Sequence, residues 1–212
     1  MMLYANGDSH TAGIGLIKSG ETYASKVAKY YNLRLRNDAT PGASNTKIIR
    51  TTKEFLDKNS TVGLILIGWS TWEREEWEYQ GKFYNINSSG YDQLPEQLTE
   101  QYKHWVSAQT PELVNLKSNE WHKKIHNFHC ELVDKKIPHL FFNCMYNFFN
   151  VSDDKKINWN LQYAYPYEND YSYYWYLTNQ GYATDNWYHF DESGHQAWAD
   201  FLIAYITENK LL

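Results

Sequence analysis

The sequence predicts an α/β fold in which a parallel β-sheet is covered on both faces by helices. Two observations carry this. Short apolar runs alternate along the chain with longer stretches of helical periodicity. The central run, Val62-Gly-Leu-Ile-Leu-Ile-Gly68, carries no polar side chain, as suits a parallel strand buried on both faces. In chain order, residues 2–6 give a first strand and Leu33-Arg-Leu-Arg36 a second, weaker one. Residues 62–68 give the third, and 138–144 (Pro-His-Leu-Phe-Phe-Asn-Cys) the fourth. A helix is expected over 21–31, where Tyr23, Val27 and Tyr30 share a face, and another over 45–58, with Asn45 placed to cap it and Ile48, Ile49, Phe55 and Leu56 at helical spacing. Trp121, Ile125, Phe128 and Leu132 predict a third helix over 119–136, and Trp198, Phe201, Leu202 and Tyr205 a last one over about 193–208.

Two segments break this rhythm. Residues 69–94 are polar and aromatic, with a Ser-Ser-Gly turn at 88–90, and read as an insertion after the third strand; Glu73-Arg74-Glu75-Glu76 within it reads as a solvated helix start. Residues 145–188 are dense in Tyr, Trp and Asn and lack periodicity, and a loop of that length in a compact domain is often functional. No repeat or linker divides the chain, so residues 1–212 are expected to form one domain. A net charge of -5 argues against a nucleic-acid partner. No apolar run is long enough for a membrane span, and the first residues lack the basic and apolar regions of a signal peptide, so a cytoplasmic location is expected. The richness in Asn, Tyr and Lys suits a bacterial virus, in its host's cytoplasm, or an AT-rich bacterium. Cys130 and Cys144 read as reduced core residues. The aromatic fraction of 17% exceeds what such a core requires, leaving rings to line a surface or cleft.

Sites in open parallel sheets form beyond the carboxyl ends of the strands. Four polar clusters fall there: Gly7-Asp8-Ser9-His10 after the first strand, Thr40-Pro-Gly-Ala-Ser-Asn45 after the second, Gly68-Trp-Ser-Thr-Trp-Glu-Arg74 after the third, and Asp185 with His189 before the last helix. Read alone, Asp8 and Ser9 also fit a strand-ending turn that bonds its own backbone. Together with an Asp/His pair, a serine on such a turn fits nucleophilic acyl transfer. His122, His126 and His129 share a stripe of a predicted helix, but with Lys123 and Lys124 among them they read as a solvated face, not a metal site.

In this order the blocks resemble those of the SGNH/GDSL hydrolase family. Gly7-Asp8-Ser9 is similar to its first block, Pro41-Gly42-Ala43-Ser44-Asn45 to its second, and Asp185 to His189 with Gly194-His195 to its last. The resemblance implies a three-layer α/β/α sandwich, flavodoxin-like, and ester hydrolysis without metal or cofactor. It implies Ser9 as nucleophile, His189 as general base and Asp185 as the carboxylate orienting it, with the amides of Ser9 and Gly42 binding the oxyanion. Two departures stand out. The family's third block reads Gly-x-Asn, whose amide also binds the oxyanion; here Gly68-Trp69-Ser70 offers the Ser70 hydroxyl instead. The family's Asp precedes its His by three residues, whereas Asp185 precedes His189 by four. His10 and His195 are the other histidines near enough in sequence to be weighed as base. Asn45, Trp69, Arg74 and Trp187 are the candidate substrate contacts, Arg74 for an anionic group and Trp187 for a sugar ring. The expected substrate is a small-molecule or glycan ester, carrying an acyl or acetyl group. The alternative is a catalytically weak or inactive protein of the same fold that binds carbohydrate or protein.

Overall fold

The computed structural model describes residues 1–17, 19–59, 61–88 and 94–212. In chain order its principal elements are β1 (Met2–Asn6), α1 (Ser9–Ala12), α2 (Tyr23–Tyr30), β2 (Arg34–Asn37), α3 (Asn45–Lys58), β3 (Leu64–Trp69), β4 (Glu75–Tyr79), β5 (Lys82–Ile86), α4 (Thr99–Ser107), α5 (Pro111–Asp134), β6 (His139–Asn143), α6 (Tyr173–Asn179) and α7 (Glu192–Glu208). Four strands form one parallel sheet in the order β2-β1-β3-β6. β1 lies inside it, pairing Leu3 with both Leu35 and Leu64.

The pleat sends alternate residues to opposite faces. Leu3, Ala5, Leu64, Leu66, Leu140 and Phe142 pack with Val27 of α2 and Trp198 and Leu202 of α7. Tyr4, Ile65, Ile67 and Phe141 pack with Ile48 and Phe55 of α3 and Ile125 and Phe128 of α5. This is the three-layer α/β/α sandwich expected of the sequence. The four helices packed on the sheet begin at side-chain caps: Thr22 for α2, Ser44 for α3, Thr110 for α5 and Asp191 for α7. Asn45 was expected to cap α3, but Ser44 takes that position and accepts the Lys47 amide, leaving the Asn45 side chain for another task.

Four expectations are corrected. First, the insertion holds no helix at 73–76. Glu75 and Glu76 begin a β-hairpin whose turn, Gln80-Gly81, has positive φ at both residues, as a two-residue hairpin turn of the primed kind needs. Glu76 is drawn inward by a two-pronged bond from Arg50 at 2.7 and 2.9 Å, while Glu75 pairs with Lys117. Behind the hairpin, Tyr102 and Trp105 of α4 bury Ile86. The Ser88 end of the turn at 88–90 is described; residues 89 and 90 lie outside the described residues. Second, Tyr30 is exposed, because α2 turns only Tyr23, Ala24, Val27 and Ala28 inward. Third, Cys130 lies on the open face of α5, whereas Cys144, just past β6, is buried; neither is bridged.

Fourth, His122 and His129 are buried, not solvated. The His122 ring bonds the Tyr167 hydroxyl at 2.7 Å, and His129 Nδ1 lies 2.8 Å from His139 Nε2. Burial, chiefly, pushes His122 and His139 down to about 4, as it does His10, and pushes His195 to about 3. An unfolded chain titrates its histidines near 6.5, so below that pH it binds more protons than the native protein. Stability contributed by these neutral rings is therefore complete above pH 6.5 and declines as pH falls from 6.5 towards 3. The midpoint of urea unfolding is expected to drop steadily between pH 7 and pH 4.5; a flat midpoint over that range would contradict the buried neutral histidines.

Candidate active site

Ser9 sits where β1 gives way to a short helix. Asp8, in extended conformation, caps that helix by accepting the His10 amide at 3.1 Å, and Ser9 is its first residue, half-buried. Gly7 has to be glycine. A Cβ there would strike the Thr11 side chain and come within 2.8 Å of the Gly68 carbonyl. The second cluster is tied to the first, because the Thr40 amide donates to the Gly7 carbonyl at 3.1 Å. Residues 40–43 then form a tight turn closed by the Ala43 amide on the Thr40 carbonyl, with Pro41 ahead of Gly42 at φ +71, the pattern of a type II turn.

Asp185 and His189 form a closed unit. The Asp185 amide donates to the His189 carbonyl, and Asp185 Oδ1 accepts the amides of both Trp187 and His189. That leaves Oδ2 facing His189 Nδ1 at 3.4 Å. The four-residue spacing is accommodated by Tyr188 in the left-handed region, φ +67, which lets the loop fold back on itself. The amides of His189 and Trp187 help hold the Asp185 carboxyl below the usual carboxylate range. This loop rests on the segment leaving α1: a Cβ on Gly15 would lie 3.2 Å from His189 Cβ and 3.7 Å from Asp185 Oδ2. The His10 and His189 rings are 5.5 Å apart. No hydrogen bond among the described residues joins Ser9 to His189, and such bonds commonly tighten only when substrate binds.

His195 is occupied elsewhere. Its Nδ1 accepts the Tyr23 amide at 3.2 Å and its Nε2 faces the Tyr173 hydroxyl at 3.5 Å, so its two ring nitrogens tie α7 to α2 and to α6. His10 is buried and has no partner for its Nδ1 among the described residues.

No family model and no curated protein matches this sequence. Solved structures do match. The psychrotrophic esterase EstA from Pseudoalteromonas sp., inhibited by monoethylphosphonate, aligns at TM-score 0.54 and 10% identity over 98% of this chain and 97% of its own. A two-domain esterase active on acetylated mannans, co-crystallised with mannopentaose, aligns at TM-score 0.51 and 14% identity; all of this chain covers 50% of that one. TesA aligns at TM-score 0.50 and 11% identity over the full length of both chains. The chain shares its three-layer α/β/α fold with these proteins.

Within that fold, four side chains expected to face a substrate do something else. Ser70 donates its hydroxyl proton to Asp8 Oδ2 at 3.1 Å and accepts from Arg74 at 2.8 Å, so it is committed away from an oxyanion. Arg74 donates to the same Asp8 oxygen at 3.0 Å and serves an internal ion pair in place of an anionic substrate group. Asn45 is fully buried and holds the Ser70 backbone on both sides, Oδ1 accepting its amide at 2.8 Å and Nδ2 donating to its carbonyl at 3.1 Å. Trp69 lies in the core, edge-on to Phe128 and Phe141. In sequence Asp8 has the look of a turn residue. It is instead the hub of this network, fully buried; burial pushes its carboxyl up, but His10, Arg74 and Ser70 together outweigh this and hold it below the usual range.

The aromatic segment divides in two. Trp159, Tyr163 and Tyr173 are buried against the sheet, so much of the long segment is packing. Trp187, at 72% exposure, and Tyr188 next to it stand out from the loop that carries His189. Tyr188 meets Tyr174 edge-on at 6.0 Å, and Trp175 is exposed beside Tyr174. Among the described residues, no helix is long and apolar enough to cross a membrane and no cluster of acidic, His or Cys groups could hold a metal.

Proposed function

We propose that the protein is a serine esterase working through Ser9, His189 and Asp185. The observation that supports this best is the Asp185–His189 unit, a carboxylate at the Nδ1 of a histidine, lodged against the segment that leaves the Ser9 helix. In this mechanism the Ser9 hydroxyl passes its proton to His189 Nε2 and attacks the ester carbonyl. Asp185 fixes the tautomer with hydrogen on Nδ1 and stabilises the imidazolium that forms. The amides of Ser9 and Gly42 receive the negative charge of the tetrahedral intermediate. His189 then returns the proton to the leaving alcohol, and water repeats the sequence on the acyl-enzyme. The test is turnover of p-nitrophenyl acetate together with fluorophosphonate labelling located at Ser9 by peptide mass. Neither turnover nor labelling leaves the alternative, a binding protein built on the esterase fold.

The substrate we infer is an acylated carbohydrate. Exposed rings present apolar faces to sugar C–H surfaces, and Trp187 lies two residues from the proposed base. Trp187→Ala is expected to lower kcat/KM on an acetylated oligosaccharide by roughly tenfold, about the value of one aromatic contact, with a much smaller change on p-nitrophenyl acetate. Equal losses on both substrates would show that the ring only positions the His189 loop.

A further inference from the structure

The engagement of Ser70 leaves the third-block donor of the oxyanion hole to be found elsewhere. We propose that Asn87 supplies it, from the end of the β4–β5 hairpin. The assignment rests on the reading of Ser9 as nucleophile and goes beyond it in naming a residue in the insertion.

The geometry begins at Gly42. A Cβ built on this glycine would stand 3.1 Å from Asn87 Nδ2, so a primary amide lies against the residue whose backbone N–H is assigned to the oxyanion. Side chains at position 42 would intrude on that amide as well as strain a backbone at φ +71. Asn87 offers the same functional group that position 70 lacks, carried from a different element to the same sheet edge. An amide nitrogen bears two hydrogens, so a bond to the protein still leaves one for substrate.

The mount is firm, as preorganised catalysis requires. The Tyr102 hydroxyl donates to the Asn87 carbonyl at 3.0 Å, fixing the backbone at this position. The preceding residue, Ile86, is buried with Tyr102 and Trp105. At the other strand, Glu76 is clamped to α3 by Arg50, and α3 is the helix that the Gly42 turn leads into. Ser70 and its neighbour Asn45 are engaged elsewhere: Asn45 holds the Ser70 backbone and Ser70 holds Asp8. The insertion that looked like decoration on the fold thus returns to the site the donor its third strand had lost.

The experiment compares wild type, Asn87→Ala and Asn87→Asp in steady-state hydrolysis of p-nitrophenyl acetate and in the rate of Ser9 labelling by a fluorophosphonate. Loss of one oxyanion donor lowers kcat by about 100- to 1000-fold, with KM nearly unchanged because the ground-state ester carries little charge. Asn87→Asp keeps the size of the side chain but sets a carboxylate where negative charge develops, and is expected to fall at least as far. Thermal unfolding confirms that each variant is folded. If Asn87→Ala does not fold, Asn87→Asp decides alone. A folded variant that keeps kcat within about threefold of wild type overturns the Asn87 assignment and leaves the esterase reading standing. A loss carried by KM alone also overturns it, since that is the mark of ground-state binding. A wild-type protein that neither hydrolyses the ester nor labels at Ser9 overturns the esterase reading, and the Asn87 role with it.

Discussion

Ser9→Ala is expected to abolish ester hydrolysis while leaving the thermal unfolding midpoint within a few degrees of wild type. The half-buried serine heads a four-residue helix whose cap is Asp8, so its hydroxyl contributes little to packing. Loss of the attacking oxygen should cost on the order of 10^4-fold or more in kcat, with a remnant above water left by the oxyanion donors. His189→Ala should fall about as far, because nucleophile and base act as a unit. Asp185→Asn should keep the loop closed through its remaining oxygen yet favour the wrong imidazole tautomer. Hydrolysis rates of the three variants, with circular dichroism to verify folding, check this. Near-wild-type turnover by Ser9→Ala would remove the nucleophile assignment.

The second large effect concerns stability. Arg74→Met takes the guanidinium from the fully buried Asp8 carboxylate and leaves it neutral donors such as the Ser70 hydroxyl and the His10 amide. Breaking a buried ion pair from one side costs about 3–5 kcal/mol, a large share of a domain's stability. Asp8→Asn should cost less, since Arg74 is partly open to water and can be solvated where Asp8 cannot. The folded pKa of Asp8 lies below its ordinary value of 3.8. Its contribution is therefore fully present above about pH 4 and is lost as pH falls through the lower folded value. The gap between wild type and Arg74→Met, read by urea denaturation, should be widest near neutrality and narrow in strong acid. An Arg74→Met protein as stable as wild type at pH 7 would contradict the network.

The sheet was legible because its signals are local. Four apolar runs and the helices over 45–58 and 192–208 are readable from composition and period within a single window, and the structure places them within two residues of expectation. The hairpin was not, because Glu73-Arg74-Glu75-Glu76 has the charge pattern of a helix start. Its strand character comes from partners distant in sequence, Arg50 and Lys117. α5 begins at Pro111, eight residues before the expected start at 119, although Thr110-Pro111 is itself a cap signal. At the site, the blocks marked which loops converge but not what each side chain does on arrival. Ser70, Arg74 and Asn45 were assigned to a substrate because they lie beyond strand ends. The burial of Asp8 decides otherwise, since an ionised carboxylate without water must gather every donor within reach. The histidines of α5 show the same limit: solvated and buried stripes have one spacing, and the packing of Trp159 and of β6 over them separates the two.

The joint at His195 bears on how the protein comes into being. The proposed nucleophile stands at position 9 and the proposed base at 189, and the base's loop is held by α7, which docks on α2 through the His195–Tyr23 bond. A ribosome adding about 5–20 residues per second releases the serine roughly 10–40 s ahead of the histidine. Throughout that interval β1 and its neighbours can pair, yet the serine has no base beside it. On the proposed mechanism the nascent chain would carry an inert alcohol until α7 seats and brings the His189 loop to it.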